Sequence, residues 1–410
     1  MFTNPKIAII GAGPSGLTLA NLLQQQNILF AVYEFETVAN ERNQGGTLDL
    51  HPESGQLALR EAGLYDEFKK YARPEGDALK IVNPAGTVLW DENKGDAPLT
   101  FETAGRPEID RIDLRNILLN SLKPDVVHWG KKLLHVEQGQ GDNKYDLHFA
   151  DGIEKGFDLV VGADGAWSKV RPFLTDVKPF YSGVSFIEMW ALDVEERYPW
   201  LSAFIGAGSC FTFDEGRVLI SQRNGNGSIR VYAGLRQDET WTKDCGIDWT
   251  KPEIARMDLV DRYYNDYPDD LKRIILESKD ELIPRTLYML PIGTRWDPHP
   301  GVTLMGDAAH LMTPFAGVGV NVAMLDALEL TRAIIAHKDE REGTFDLAAA
   351  IQNYESSMFE RTKHNTQTTW NRMQQSFSRG GSEAMANMMQ AFHRGAYVLD
   401  HRVENLSMLH

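Results

Sequence analysis

The pattern of apolar and polar positions changes period several times along the chain, and each period predicts a different element. Ile7, Ala8, Ile9 and Ile10 form a continuous apolar run ending in glycine, as in a short strand buried on both faces of a parallel sheet. From Pro14 to Gln26 the pattern turns helical, with Leu17, Leu19, Ala20, Leu22 and Leu23 apolar, and Asn27 stops it before a second strand at Ile28 to Tyr33. Strand, helix and strand within about 30 residues make one βαβ unit. A helix capped by Asp113 is predicted from Asp113 to Leu122, and a buried strand from Asp158 to Val161. Between residues 176 and 284, alternating strands (Arg217 to Ser221, Ser228 to Leu235) separated by Gly/Asn turns predict an inserted domain built on a mixed or antiparallel sheet.

Parallel-sheet texture returns at Val302, Thr303, Leu304 and Met305, followed by a helix from Val320 to His337 and a polar gap at Lys338 to Gly343. A long helix is predicted from Phe345 to Phe377, about 50 Å at 1.5 Å per residue. Its apolar positions, among them Ile351, Tyr354, Met358, Trp370 and Met373, are interrupted by the polar run Arg361 to Thr369. That favours a helix packed across two domains over a coiled coil. Ala384 to Tyr397 reads as one more helix. The expected fold is therefore α/β: a discontinuous Rossmann-like domain (1–175 and 285–344), an inserted sheet domain (176–284), and a bridging helix with its tail (345–410).

The formal charge of −16 argues against nucleic acid or an anionic membrane as partner. No stretch approaches the ~20 apolar residues of a membrane span. A soluble, cytoplasmic protein is expected. Cys210 and Cys245 have no partner at metal-ligand spacing and read as structural residues in a reducing compartment. A strand beginning by Lys6 leaves no room for a signal or transit peptide.

Gly11, Gly13 and Gly16 make GAGPSG, with Pro14 and Ser15, between the first strand and its helix. The first glycine permits the turn, the second lets a pyrophosphate approach backbone N–H groups, and the third lets helix and strand pack closely. Glu34 follows Gly11 by 23 residues, where a carboxylate can accept from both ribose hydroxyls of an adenosine. The fingerprint serves FAD and NAD alike, and outside this context it would read as a glycine turn beside a solvated glutamate. Gly306 and Asp307 end a later strand, and Pro314-Phe-Ala-Gly-Val-Gly-Val-Asn321 opens a helix. That places a carboxylate near a ribityl hydroxyl and a helix N-terminus near the anionic edge of a reduced flavin. Taken alone, Asp307 reads equally as a cap for its own turn. His310 reads as a histidine satisfied by local backbone groups.

GAGPSG, Asp158-Leu-Val-Val-Gly-Ala-Asp-Gly-Ala-Trp-Ser-Lys-Val-Arg171 and Gly306-Asp-Ala-Ala-His310 together resemble the three-motif signature of class A flavoprotein monooxygenases, the family of p-hydroxybenzoate hydroxylase. Within it the chain is most similar to the tetracycline-inactivating flavin monooxygenases, on residues 45–51, 113–122, 168–171 and 306–321. The resemblance implies non-covalent FAD, with Glu34 on the adenosine ribose and Arg115 on the ribityl or phosphate part. Asp307 would bind the ribityl chain. Pro314, Gly317 and Asn321 would line the isoalloxazine, and Thr47, Asp49, Gly319 and Val320 complete the cofactor set. Asp164 and Arg171 would serve both FAD and a transient NADPH or NADH. Phe35 departs from the family, which usually has arginine there. The chain has no second glycine fingerprint for a nicotinamide cofactor and no WxWxIP halogenase signature.

The activity implied is NAD(P)H- and O2-consuming hydroxylation of a phenolic, polycyclic or polyketide-like small molecule through a C4a-hydroperoxyflavin, by a monomer. Tetracycline-type compounds, and with them antibiotic inactivation, fall inside the resemblance. The alternatives are a same-fold flavin reductase or oxidase, and a non-catalytic flavin- or ligand-binding protein. A glutamine, an arginine and a histidine grip the drug in the tetracycline-inactivating enzymes, and by spacing from Asp164 and Trp241 these fall here on Glu188, Cys210 and Val231. None is kept. A pocket of opposite charge, and poor turnover of tetracycline, are the expectation.

Overall fold

The structure is a computed structural model that describes residues 5–39, 41, 45–94, 100–101, 105–141, 143–339 and 341–393. The chain divides into two compact units, one of residues 1–74, 105–182 and 288–371, the other of residues 75–104, 183–287 and 372–410. The second unit thus takes in 75–104 and 372–410, which the sequence reading assigned to the first domain and to a bridging tail.

The first unit is built on a five-stranded, wholly parallel sheet in the order Val302–Leu304, Leu159–Gly162, Ile7–Ile10, Phe30–Tyr33, Val127–His128. Its central strand is buried along its whole length, as the unbroken apolar run requires. Helix Pro14–Gln25 starts with proline at its first position, where the missing N–H costs nothing, and no side chain caps it. It packs against helix Gly319–Ala336. A three-stranded antiparallel sheet (Leu133–Gln138, Tyr145–Phe149, Gly152–Phe157) lies beside the main one, its Phe149 and Phe157 rings on Tyr33.

Two local expectations fail for tertiary reasons. The helix expected to begin at Asp113 runs Arg111–Asn120 with Asp110 at the cap position, but the Asp110 carboxylate accepts from Arg73 at 2.9 Å instead of capping. The polar gap after residue 337 is a small hairpin, Lys338–Asp339 against Thr344–Phe345, so the long helix begins at Leu347 and ends at Ser376.

Of the long helix, residues 347–371 belong to the first unit and 372–376 to the second. Its polar run is absorbed by specific bonds. Arg361 pairs with Asp326 and Glu329, Thr362 and Thr366 donate back to the carbonyls of Met358 and Thr362, and Thr369 donates to Thr313 O at 2.6 Å.

Glu355, six residues before Arg361 on the same helix, is buried. Its Oε1 accepts from Trp296 Nε1 at 2.8 Å and Thr303 Oγ1 at 2.7 Å, while Oε2 has no partner among the described residues. Burial pushes its carboxyl up to about 7. Because the folded value lies above the unfolded one, its contribution is complete at low pH and is lost as pH rises from about 4.5 to about 7. Glu355→Gln, which keeps Oε1, is expected to flatten that slope and to be more stable than wild type at pH 8 by about 1–2 kcal/mol. Urea midpoints at pH 5 and pH 8 check this. An unchanged slope in the variant would assign it to another group.

The second unit is built on a seven-stranded mixed sheet in the order Glu281–Met289, Phe180–Ala191, Ile229–Arg236, Arg217–Arg223, Ser209–Asp214, Leu79–Val82, Val88–Asp91. Ser209–Asp214 and Leu79–Val82 pair in parallel, while Phe180–Ala191 with Ile229–Arg236, Ile229–Arg236 with Arg217–Arg223, Arg217–Arg223 with Ser209–Asp214, and Leu79–Val82 with Val88–Asp91 are antiparallel. One face carries Ile187, Met189, Leu219, Val231 and Ala233 into a core with helices Pro199–Ile205, Pro252–Tyr263 and Asp269–Glu277. At one end of the other face, helix Gly381–His393 covers Leu79, Ile81 and Phe211. Residues 394–397 of the predicted last helix lie outside the described residues. Among the described residues no helix is long and apolar enough to cross a membrane.

Candidate functional site

The glycine turn is shaped by what its backbone approaches. Gly11 has φ +108°, and a Cβ there would lie 2.4 Å from Ala163 O; one on Gly16 would lie 2.1 Å from Gly11 O. Neither position admits a side chain. A Cβ on Gly13 would meet nothing within 4 Å, so the middle glycine faces open space. Ala12 N donates to Glu34 Oε2 at 2.6 Å, and Glu36 N donates to Glu34 Oε1 at 3.0 Å. Arg115 Nε donates to Ala12 O at 3.1 Å and its Nη2 to Glu36 Oε2 at 2.7 Å. Its Nη1 is buried with no hydrogen-bond partner among the described residues. A buried cation with one unanswered N–H, beside a turn open above Gly13, fits the pyrophosphate of a dinucleotide. Glu36 was missed, although in an extended segment it shares the side of Glu34 two residues before it.

The later motif forms a second cluster. Gly306, at φ +57° and ψ −144°, turns the chain into the single helical turn Asp307–His310, and Asp307 is exposed. Gly306 N donates to Asp326 Oδ2 at 2.9 Å, and His310 Nε2 contacts the same oxygen at 2.6 Å. His310 is therefore held by a side chain, not by local backbone.

Arg171 Nη1 donates to Ala308 O at 2.9 Å and its Nη2 to Ala166 O at 2.6 Å. Burial lowers its pKa. Through these bonds Arg171 ties the 164–171 loop to the Gly306-Asp307 turn. Asp164 Oδ2 accepts from Lys169 N at 2.6 Å, while Oδ1 is buried with no hydrogen-bond partner among the described residues, and desolvation raises the carboxyl's pKa.

Asp49, Gly317 and Asn321 come together through bonds to the backbone. Asn321 Oδ1 accepts from His51 N and its Nδ2 donates to Asp49 O, both at 2.8 Å. A Cβ on Gly317, at φ +67°, would lie 3.5 Å from the Asp49 carboxylate. Burial of His51 opposes its protonation, but bonds to the Asp49 and Glu53 carboxylates outweigh burial and raise its pKa. The Thr47 hydroxyl is buried against Glu108, Ile109 O and Arg73. Pro314 begins a short 3-10 turn, and Gly319 and Val320 open an 18-residue helix that no side chain caps. Asp307 is an exposed carboxylate at the Gly306 turn. Asp307→Ala is expected to keep its fold and to lose one charge-assisted hydrogen bond, roughly 1.5–3 kcal/mol or about tenfold to a hundredfold in cofactor affinity. Flavin fluorescence titration of the refolded apoprotein checks it.

The sheet of the second unit separates the three positions inferred from spacing. Cys210 and Val231 lie in the helix-covered core, where burial pushes the Cys210 thiol up to about 12. Glu188 pairs in register with Tyr232, one residue off Val231, and so occupies the opposite face with Phe186, Trp190 and Arg230. Cys210 and Val231 are accordingly withdrawn as substrate-facing residues.

Glu188 is 3% exposed. It accepts from Arg285 Nε and from Trp190 Nε1 at 3.2 Å, and pairs with Arg230 Nη2 at 3.1 Å. Arg230 stacks over Trp190 at 3.7 Å and contacts Tyr232 Oη at 3.3 Å, and its Nε has no hydrogen-bond partner among the described residues. Two arginines against one glutamate leave this cluster positive. Glu188 is thus the shared partner of two guanidiniums and not a lone carboxylate.

The profile of the FAD binding domain family matches residues 4–368. Monooxygenase penA of Penicillium thymicola is 32% identical over 434 residues, spanning 94% of this chain and 98% of that protein. Among solved structures, Klebsiella pneumoniae HpxO complexed with FAD and uric acid superposes with a TM-score of 0.73 at 21% identity, over 94% of this chain and 92% of that one. Tetracycline destructase Tet(55) superposes with a TM-score of 0.71 at 17% identity, over 97% of this chain and 98% of that one, which is a likeness of fold. With the match extending from the glycine turn through the 306–321 cluster, this chain belongs to the FAD binding domain family of class A flavin monooxygenases and is an FAD-dependent monooxygenase.

Proposed function

We propose that this monooxygenase hydroxylates an acidic, electron-rich ring, a phenol or an enolised polyketide-like compound, taken up as its anion, with NAD(P)H as reductant. One oxygen atom of O2 enters the product; the other leaves as water with the two electrons of NAD(P)H and a proton. Bound FAD would supply that redox chemistry.

The chain's own residues do the rest. Glu34, Arg115 and the GAGPSG turn would hold the adenosine and pyrophosphate, and the 49–51 and 306–321 segments the flavin end. The Arg230–Glu188–Arg285 cluster carries the reading of the substrate. Its surplus positive charge favours an oxyanion, Glu188 keeps both guanidiniums in place, and the half-buried Tyr232, packed on Phe186, sets an aromatic ring beside them. Tetracycline-type compounds carry an ionised enol, balanced by their ammonium group, and stay in this class through that oxyanion.

Arg285, whose side chain is 53% exposed, gives the practical test. Substrate-stimulated NADPH oxidation is measured across a panel of phenols, polyketides and tetracycline, with 18O2 incorporation to confirm oxygen transfer. Arg285→Ala is expected to raise KM for anionic members about tenfold or more and to leave neutral ones nearly unchanged. Equal losses for both kinds, or an active panel made only of neutral compounds, would overturn the anionic-substrate reading. Product without 18O would point instead to a reductase or oxidase.

A further inference from the structure

We propose that the solvent face of the three-stranded sheet binds a divalent transition-metal ion of the zinc class through His135, Glu137 and His148. In an extended strand residues i and i+2 share a face, so His135 and Glu137 of Leu133–Gln138 project together. Strand Tyr145–Phe149 runs antiparallel to it with His148 in register with His135 and Asp146 in register with Glu137. Ligand atoms of the three residues lie within 4.8 Å of one another. The two imidazole rings stack at 4.3 Å between centroids and 18° between planes, and Glu137 Oε2 lies 2.7 Å from His148 Nε2.

Two nitrogens and a carboxylate suit zinc, nickel or copper, whose bonds to such donors are about 2.0–2.2 Å, better than the all-oxygen preference of magnesium or calcium. The strand ladder fixes the Cβ positions, and His135 and Glu137 are exposed, so modest side-chain rotation closes the remaining distance. Asp146, opposite Glu137, adds negative charge, although its Oδ1 already accepts from Gly156 N at 2.9 Å. Three protein ligands leave a position for water. The ion would clamp two strands whose buried side holds Tyr33, the residue before Glu34. The site thus lies outside the residues assigned to FAD and to substrate.

The test uses tag-free, FAD-loaded protein with zinc chloride, nickel chloride and copper(II) as probes. Calorimetry is expected to show one zinc per chain, with affinity reduced at least tenfold in His135→Ala and in His148→Ala and less in Glu137→Gln. Magnesium should not compete. In copper-loaded wild type, EPR is expected to show hyperfine coupling to two imidazole nitrogens, falling to one in each single histidine variant. The three side chains are exposed or half-buried, so the variants should fold and keep their flavin. Zinc binding unchanged in His135→Ala/His148→Ala, or a copper spectrum without nitrogen coupling, would overturn the proposal.

Discussion

Asp326→Ala is expected to cost about 3–5 kcal/mol of stability and to release the flavin, although Asp326 lies on none of the glycine motifs. The carboxylate is fully buried. It answers three donors at once: Gly306 N at 2.9 Å, His310 Nε2 at 2.6 Å and Arg361 Nη2 at 2.7 Å. Burial works to raise its pKa, but His310, Arg361 and the Gly306 N–H outweigh burial and hold it below the ordinary carboxylate value. Its contribution is therefore present above the unfolded-state pKa and is lost as pH falls through the folded one. Removing the charge leaves the Arg361 guanidinium with Glu329 alone and frees the backbone at the turn that presents Asp307. Asp326→Asn keeps the shape without the charge and should fall between wild type and the alanine variant. Urea unfolding and flavin fluorescence measure both effects, and the asparagine variant remains informative if the alanine variant does not fold. Stability within about 0.5 kcal/mol of wild type in both would remove Asp326 from this role.

Arg115→Ala is expected to be nearly as damaging, for a reason that separates into two parts. Arg115 and Glu36 form an ion pair with side chains 2% and 1% exposed. Deleting one partner takes the nearest countercharge from a buried ion, worth about 3–5 kcal/mol. Replacing both with neutral groups of similar volume, Arg115→Met with Glu36→Gln, should restore most of that stability. Flavin affinity should not return with it. The buried Nη1 of Arg115 is the group available to the pyrophosphate, and a charge-assisted hydrogen bond of about 1.5–3 kcal/mol corresponds to about tenfold to a hundredfold in affinity. A double variant that regains both stability and tight FAD binding would show that Arg115 acts only as the partner of Glu36.

The glycine turns proposed to receive the cofactor were legible in the sequence because their geometry is local. A buried strand, a glycine turn and a helix opened by Pro14 are dictated by φ, by the missing proline N–H and by close backbone approach, all within about 30 residues. The same holds for Gly306, whose positive φ and neighbouring Asp307 follow from the residue types themselves. What surrounds these turns was not legible. Asp326 and Arg361 are 35 residues apart, Glu188 and Arg285 are 97, and no period or motif says which buried charge finds which partner.

The substrate sheet failed for a sharper reason. In a strand a shift of one residue moves a side chain to the other face, so spacing carried from a distant motif across loops of uncertain length lost the parity that separates Glu188 from Val231 and Cys210. Strands Leu79–Val82 and Val88–Asp91 join that sheet from more than a hundred residues upstream, a pairing only the folded chain reveals. The sequence by itself determined the family, the cofactor and the turns that receive it, since those depend on backbone conformation over short stretches. The tertiary structure decided which buried charges support those turns and which face of the sheet carries the positive cluster, because these depend on register and long-range packing.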